Sequence, residues 1–502
     1  MQWLQKIADE VVRRQPEGEI LIESGGSPSG TYHFGHLREL VICDGILLCL
    51  QKMGRKAKHI YYVDDLDGFR KIPPNVPTEY EKYLGRPLCD IPAPDGSDRS
   101  YADFFIQGLM DACELLGIEV EFVRSHQKYR EGFFTEAIEK ALDNASKIKN
   151  ILETVSGHKV DNSWSPIQIN EGGYLKKRQF VSIDKSAKTL TYRDAAGQEQ
   201  TIAYAKGDVK LDWRVDWPAR WWLLNVGVEP AGRDHSTKGG SFDTGLAIIK
   251  DVFGEQGPLP VPYDFINLAG DNKKMSASAG TGLDAAASAK VLPPEVLRYF
   301  ILSAPPTKRL YFDPVDGMIR LVDEYAQRFS EEGDDKLVEF SRRGTEPMVT
   351  RIPFSHLVAS YQAALRDVDK TIEVIKRTET KYPVDQNRQI LENELKYIDA
   401  WLENWAPEDV KFELAKELPK GLSEEQTKFL SDLADKIDGA PEGADGEWFH
   451  KTIYDLPSEL EPNQKFKTLY RTLIGQDRGP RAGWFLSILP REWLLKRLRL
   501  EG

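Results

Sequence analysis

The sequence predicts an α/β fold, a doubly wound parallel sheet of Rossmann type with insertions, followed by an all-helical C-terminal region. Three observations predict it. An apolar stretch at residues 18–24 runs into the turn Gly25-Gly26-Ser27-Pro28-Ser29-Gly30, and a helical pattern follows at 36–53. A second apolar stretch at 57–63 ends on Asp64-Asp65, which completes one strand, loop, helix, strand unit of the parallel kind. From about residue 293 the apolar spacing becomes almost wholly helical. A chain of 502 residues suggests roughly three domains. With 41% hydrophobic and 29% charged residues it can pack a core, which excludes a disordered chain. A net charge of −12 argues against non-specific coating of nucleic acid or anionic membrane, and leaves room for a local basic face.

Each element then follows in order. Gly54 stops the first long helix. The proline-rich, aperiodic stretch at 72–97 reads as an insertion, and helical and strand patterns resume at 101–123. Short alternating runs between 158 and 207, such as 174–183 and 189–192, predict a small antiparallel appendage with turns at Asp184-Lys185-Ser186 and Ala195-Ala196-Gly197. The α/β pattern returns with 217–225, a helix at 239–252 and a strand at 263–268 that empties into 270–280. Amphipathic helices are expected at 295–302, 354–376, 386–405 and 424–437. Domain boundaries are expected at 1–265, 266–330 and 331–502. The longest apolar stretch, 40–50, is broken by Asp44 and is too short to cross a bilayer, and residues 1–17 lack the pattern of a secretory signal, so a cytoplasmic protein with no membrane partner is expected. Cys43, Cys49, Cys89 and Cys113 form no C-x-x-C pair, which argues against a disulfide framework and a cysteine zinc site.

Two segments carry chemistry. In Pro28-Ser29-Gly30-Thr31-Tyr32-His33-Phe34-Gly35-His36, two imidazoles separated by a glycine stand at a helix start, where N–H groups and the dipole attract phosphate. The bland alternative is a loop whose histidines only cap the helix. In Asp271-Asn272-Lys273-Lys274-Met275-Ser276-Ala277-Ser278-Ala279-Gly280, ammonium and hydroxyl groups after a strand can wrap a triphosphate and stabilise a departing pyrophosphate. Alone this segment could be a solvated linker.

Together the two resemble the HIGH and KMSKS signatures of class I aminoacyl-tRNA synthetases. Further segments narrow the resemblance to the class I lysyl-tRNA synthetases: Gly25 to Gly30 as above, Asp64-Asp65-Leu66-Asp67-Gly68-Phe69-Arg70-Lys71, Asp216-Trp217-Pro218-Ala219-Arg220-Trp221, Gly232-Arg233-Asp234-His235, Gly239-Gly240-Ser241-Phe242-Asp243 and Gly479-Pro480-Arg481. The resemblance implies ATP-dependent activation of L-lysine and its transfer to tRNA(Lys), with AMP and diphosphate released. By matching positions it implies that Ser29, Gly30, His33, Gly35, His36 and Asp234 bind ATP, and that Lys274, Met275, Ser276 and Ser278 close on the triphosphate. His33, His36, Lys274 and Ser276 would be the catalytic set. Gly25, Ser27, Trp217, His235 and Tyr263 match the family's amino-acid pocket. Trp217 could equally be core, and Asp64 and Asp65 could meet the substrate's ε-ammonium or cap the next turn.

Mg²⁺ is expected with the nucleotide. Some relatives carry cysteine and histidine clusters that bind zinc, whereas residues 95–103 here contain neither type and the appendage contains no cysteine, so no structural zinc is expected. Ala277 stands where many class I enzymes have a second lysine, with Lys273 nearby. The C-terminal segment 465–499 interleaves basic and aromatic residues, Arg478, Arg481 and Trp484 among them, in an otherwise acidic chain, which suits an unpaired anticodon loop. The helical region is therefore expected to bind the anticodon, and a monomer is expected. The rival readings are a class I synthetase for glutamate, glutamine or cysteine, and a non-catalytic tRNA-binding paralogue. Lys274→Ala should slow lysine-dependent pyrophosphate exchange by about 2 to 4 kcal/mol of transition-state stabilisation and leave tRNA affinity unchanged in filter binding.

Overall fold

The structure, a computed structural model, describes residues 1–161, 164–269, 284–330, 335–343, 347–379, 382–408, 410–441 and 443–501. The segment 270–283, with Lys274, Met275, Ser276 and Ser278, lies outside the described residues. The chain divides into two compact units, 1–289 with 297–312, and 290–296 with 313–502.

The first unit is built on a five-stranded parallel sheet in the order Leu259–Tyr263, Val226–Gly232, Ile20–Gly26, Ala57–Val63, Glu121–Arg124. The order reverses between Ile20–Gly26 and Val226–Gly232, and α/β sheets bind ligands beyond the strand ends at such a reversal. Ile20 pairs with Ala57 and Gly26 with Val63, so Gly25, Gly26 and Asp64 arrive together at one end. Gly232 pairs with Tyr263 and brings a second pair of strand ends alongside. Helices cover both faces, as a doubly wound sheet requires. Helix Phe34–Lys52 packs on the central strands from one side together with Gln2–Arg14. From the other side, Leu21, Ile60, Tyr62 and Val226 share a buried cluster with Ile138, Ile151, Trp221 and Ile248.

The proline-rich insertion forms short 3-10 turns, Thr78–Tyr83 and Leu88–Asp90, around its own core of Phe69, Tyr80, Leu88, Tyr101 and Phe105. The appendage consists of two three-stranded antiparallel sheets, one holding Ile167–Glu171, Tyr174–Lys177 and Val209–Leu211, the other Gln179–Asp184, Thr189–Arg193 and Glu199–Ala203.

Three local expectations change. The strand expected at 263–268 is two strands, Leu259–Tyr263 in the main sheet and Ile266–Leu268 paired with Leu310–Phe312, because the chain turns at Asp264, whose carboxylate accepts from the next amide, Phe265 N, at 2.8 Å. The helix expected at 239–252 ends at Ile248 and closes with a π-turn, Ile249–Phe253. The helix expected at 354–376 breaks into Phe354–Ala363 and Val368–Thr378. Leu365 and Arg366 take left-handed φ values of 56° and 58°, and Asp367 caps the second helix by accepting from Lys370 N at 2.9 Å. In the second unit helices such as Glu424–Asp438, Pro462–Ile474 and Ala482–Ile488 bury Leu430, Leu433, Leu469, Leu473 and Phe485 in one core.

In the first unit an ion pair is sealed between helices. Arg298 Nη2 lies 2.6 Å from Asp44 Oδ2, with the side chains 1% and 0% exposed. Removing one partner strands the other charge in a low dielectric. Asp44→Ala should therefore destabilise this unit by about 3 to 5 kcal/mol, and adding Arg298→Met should restore part of the loss. Denaturant unfolding followed by tryptophan fluorescence reads both.

Candidate active site

At the strand ends a cleft of about 570 Å³ opens, lined from the first, second, fourth and fifth strands in chain order, the signature helix and the helix Trp213–Leu224. All six residues matched to an amino-acid pocket, Gly25, Ser27, Asp64, Trp217, His235 and Tyr263, line it. So do Ser29, His33, Gly35, His36 and Asp234 from the nucleotide set. Gly30 is buried beside the cleft and is absent from its lining.

The histidines of the first signature do cap their helix. His33 is the N-cap, its Nδ1 accepts from Gly35 N at 3.1 Å, and His36 Nδ1 accepts from His33 N at 3.1 Å. With its Nδ1 accepting, a neutral His33 ring carries its proton on Nε2, a donor suited to phosphate oxygens, while His36 Nδ1 stands between the amide and the carbonyl of His33, at 3.1 and 3.2 Å. A Cβ at residue 35 would sit 2.9 Å from the His33 ring, which explains the glycine between the histidines.

One helical turn on, Glu39 enters the cleft. Its Oε1 accepts from Gly25 N at 3.1 Å and its Oε2 accepts from the Tyr263 hydroxyl. A Cβ at residue 25 would lie 2.6 Å from the Tyr62 carbonyl oxygen, so only glycine brings this amide so close to the second strand. Desolvation pushes the Glu39 carboxyl up to about 7, and burial raises the Tyr263 hydroxyl further above its ordinary value. Glu39 has no ion pair among the described residues, and its two hydrogen bonds hold the carboxylate in place.

Beneath lies a chain of alternating charges. Lys210 Nζ stands 3.1 Å from both Asp67 Oδ1 and Asp216 Oδ2. Arg220 Nη1 reaches Asp64 Oδ1 at 2.7 Å and its Nε reaches Glu23 Oε1 at 3.1 Å, with its guanidinium over the Tyr62 ring. Tyr129 donates to Asp216 at 2.6 Å. Burial pulls the Lys210 ammonium down, and the adjacent Asp216 and Asp67 more than reverse this. Burial lifts Glu23 to about 7 against the pull of Arg220. Glu229 accepts from the indole N–H groups of Trp217, at 2.7 Å, and Trp221, which fixes the Trp217 ring as a wall of the cleft.

The two aspartates after the second strand part company. Asp64 faces the cleft, whereas Asp65 is fully buried and accepts from Arg124 Nε at 2.8 Å and from His126 N at 2.8 Å, a structural role. Glu39, Lys210 and Glu229 escaped the sequence reading. Glu39 had a local signal, an acid one helical turn after the histidine pair, whereas Lys210 and Glu229 are defined by their partners in space.

In the helical unit Arg478 and Arg481 are exposed. Trp484 is half-buried, 6.0 Å from the His356 ring, and a Cβ at Gly446 would collide with it. Among the described residues no helix is long and apolar enough to cross a membrane, and no group of three or more His, Cys, Asp or Glu side chains could hold a metal ion.

Comparison with known proteins adds to this geometry. The family model described as tRNA synthetases class I (K) matches residues 1–343. A lysine--tRNA ligase of Archaeoglobus fulgidus is 36% identical, over 99% of this chain and 99% of its own. Lysine--tRNA ligase 1 of Methanosarcina acetivorans is 36% identical over 99% of this chain and 98% of its own, and a lysine--tRNA ligase of Pyrococcus horikoshii 33% over 100% and 99%. With its strand-end cleft, its capped histidine pair and two thirds of its length matched, the chain belongs to the class I (K) tRNA synthetases.

Proposed function

We propose that the protein is a lysine--tRNA ligase: it activates L-lysine with ATP and transfers it to tRNA(Lys), and the residues of the strand-end cleft divide the work. The observation that carries this reading is the Glu39–Tyr263 pair, a desolvated carboxylate anchored by Gly25 N and a phenol, with no cation of its own among the described residues. It suits an ε-ammonium. The same carboxylate would repel a glutamate side chain and offers a glutamine or cysteine side chain no matching charge, which sets aside the rival amino acids.

His33 and His36 donate to the nucleotide phosphates from the helix start, and Asp234 approaches the nucleotide. Trp217, held by Glu229, flanks the alkyl stem of lysine with His235 edge-on at 5.6 Å. Gly25, Ser27 and Asp64 complete the amino-acid end. The lysine carboxylate attacks the α-phosphate and pyrophosphate leaves, so no protein nucleophile is required, and the protein contributes alignment and charge stabilisation. Lys274, Ser276 and Ser278 belong to the segment assigned to the leaving phosphates. Mg²⁺ belongs to this reading as part of the substrate, carried on the ATP phosphates.

Beside the cleft a second hollow of about 490 Å³ shares Asp67, Arg70 and Trp213 with it and adds Lys159, Lys177 and Arg214, the last stacked over Trp213 at 4.4 Å. Basic groups over indoles suit the single-stranded 3′ end of tRNA on its way to the adenylate. In the helical unit Arg478 and Arg481 supply phosphate contacts to the anticodon arm, and Trp484 braces the helix that follows them. A monomer working in the cytoplasm, where tRNA is charged, belongs to this reading.

Pyrophosphate exchange tested with all twenty amino acids should respond to lysine, and exchange with none would sink the reading. Glu39→Gln keeps the bond from Gly25 N, reverses the one to Tyr263, whose hydroxyl would accept from the amide, and removes the charge, so kcat/KM for lysine should fall by about 2 to 4 kcal/mol, thirtyfold or more. The pH sign follows from the raised carboxyl. Below about 7 Glu39 is protonated and must shed its proton to meet the ammonium, so the lysine KM should fall as pH rises from 6 to 8 and then level. Glu39→Gln should flatten that profile. In the empty protein the same group favours the fold while protonated, and that contribution is lost as pH climbs through 7.

A further inference from the structure

Between His36 and Glu39 on the signature helix stands Arg38, a guanidinium with 0% exposure. Its hydrogen bonds go to main-chain carbonyls. Nη1 donates to Asp264 O at 2.6 Å and Phe265 O at 3.0 Å, and Nη2 donates to Pro306 O at 2.9 Å and Lys308 O at 2.5 Å, with Pro305 O at 3.5 Å. These carbonyls belong to two irregular segments, the corner between the strands Leu259–Tyr263 and Ile266–Leu268, and the turn that leads into Leu310–Phe312. Burial lowers the guanidinium to about 10, so it stays charged at neutral pH. A rigid fork of donors can serve two strands of carbonyls at once, and no other side chain can.

The same corner is gripped from outside. The Asp264 carboxylate accepts from Arg233 Nη1 at 2.9 Å and from Arg309 Nη2 at 3.1 Å. Phe265, so pinned, and the next residue Ile266 line the cleft together with Gly35 and His36. One wall is thus the helix that carries Arg38, and another is the corner that Arg38 holds. The lysine hook has its own support, since Tyr263 is bonded to Glu39 and in register with Gly232.

We propose that Arg38 is a positioning residue for nucleotide binding and activation: its guanidinium ties the signature helix to the 264–266 corner and so sets the spacing of the two walls between which ATP sits. This rests on the cleft being the ATP and lysine site. Arg38 touches no substrate and acts through the backbone it holds, so its loss should loosen the nucleotide end and spare the lysine end.

The test uses the full-length enzyme with Arg38→Lys and Arg38→Met, active sites counted by adenylate burst, and lysine-dependent exchange measured against both substrates. Lysine's single ammonium can serve one segment at a time, so Arg38→Lys should raise the ATP KM about tenfold and lower kcat at least tenfold, with the lysine KM within twofold of wild type. Arg38→Met should be worse in the same direction. If it does not fold, Arg38→Lys decides alone. A role confined to stability would lower the melting midpoint and the active fraction while leaving ATP KM and kcat per site unchanged, and that result overturns the proposal. Equal rises in both KM values also overturn it. Wild-type protein that exchanges with no amino acid would defeat the underlying assignment instead. ATP affinity by equilibrium tryptophan-fluorescence titration of the same variants then tests Arg38 without turnover: a tenfold loss supports the proposal and no loss overturns it.

Discussion

Buried charge must be matched, and the cleft is organised by how that is done. Asp67, Lys210, Asp216, Arg220 and then Glu23 with Asp64 form an alternating series drawn from the loop after the second strand, the appendage, the helix Trp213–Leu224 and the first strand. Removing any member would leave its neighbours charged and desolvated, a cost of several kcal/mol on the order of a whole domain's margin of stability. The series therefore ties elements distant in sequence to one geometry. It also gives the Asp216-Trp217-Pro218-Ala219-Arg220 segment a physical meaning, because Asp216 and Arg220 face the same network one helical turn apart while Trp217 is turned to Glu229 and the cleft.

The series has more carboxylates than cations, and Glu39 adds another acid within the same lining. On the proposed reading an anionic amino-acid side chain would meet no unmatched positive group of this series, while a cationic one would meet Glu39. Burial raises the carboxyls of Glu23 and Glu39 alike, and at Glu23 the neighbouring Asp64 and Asp216 push the same way against Arg220. Selectivity for a cation, on the proposed reading, is then a property of the buried network as a whole, with the Glu39–Tyr263 pair at its edge in the cleft.

Much of this was legible in the sequence. Glycine turns at strand ends, the histidine pair at a helix start and Asp64 at a second strand end are local patterns, and the sheet brings them to one place because parallel strands point the same way. What escaped had no local signature. The central strand Val226–Gly232 carries Glu229 and Pro230, residues that argue against a buried strand, and both are tolerated because the carboxylate finds two indoles and the neighbouring ladder runs past. The break at Leu365 and Arg366 could have been read from Asp367, an N-cap set before a fresh amphipathic run. Lys210 reads as an exposed strand residue in an alternating appendage until its partners 143 and six residues away are known.

The two units meet the demand of buried charge in different ways, and the difference tracks function. In the helical unit carboxylates are satisfied by main chain: Glu295 accepts from Met348 N and Val349 N, Glu394 from Thr350 N, and Asp323 from Phe354 N, so three helices hold one connecting segment through its amides. Arg38 is the mirror image, a buried cation satisfied by carbonyls. Such charges fix backbone through the amides and carbonyls that they hold. Around the cleft, by contrast, charge is set against charge and left in excess on one side. Arg38 and Glu39, adjacent on one helix, thus divide one task on the proposed reading: the first holds main chain at the 264–266 corner, and the second faces the cleft from its bond to Gly25 N.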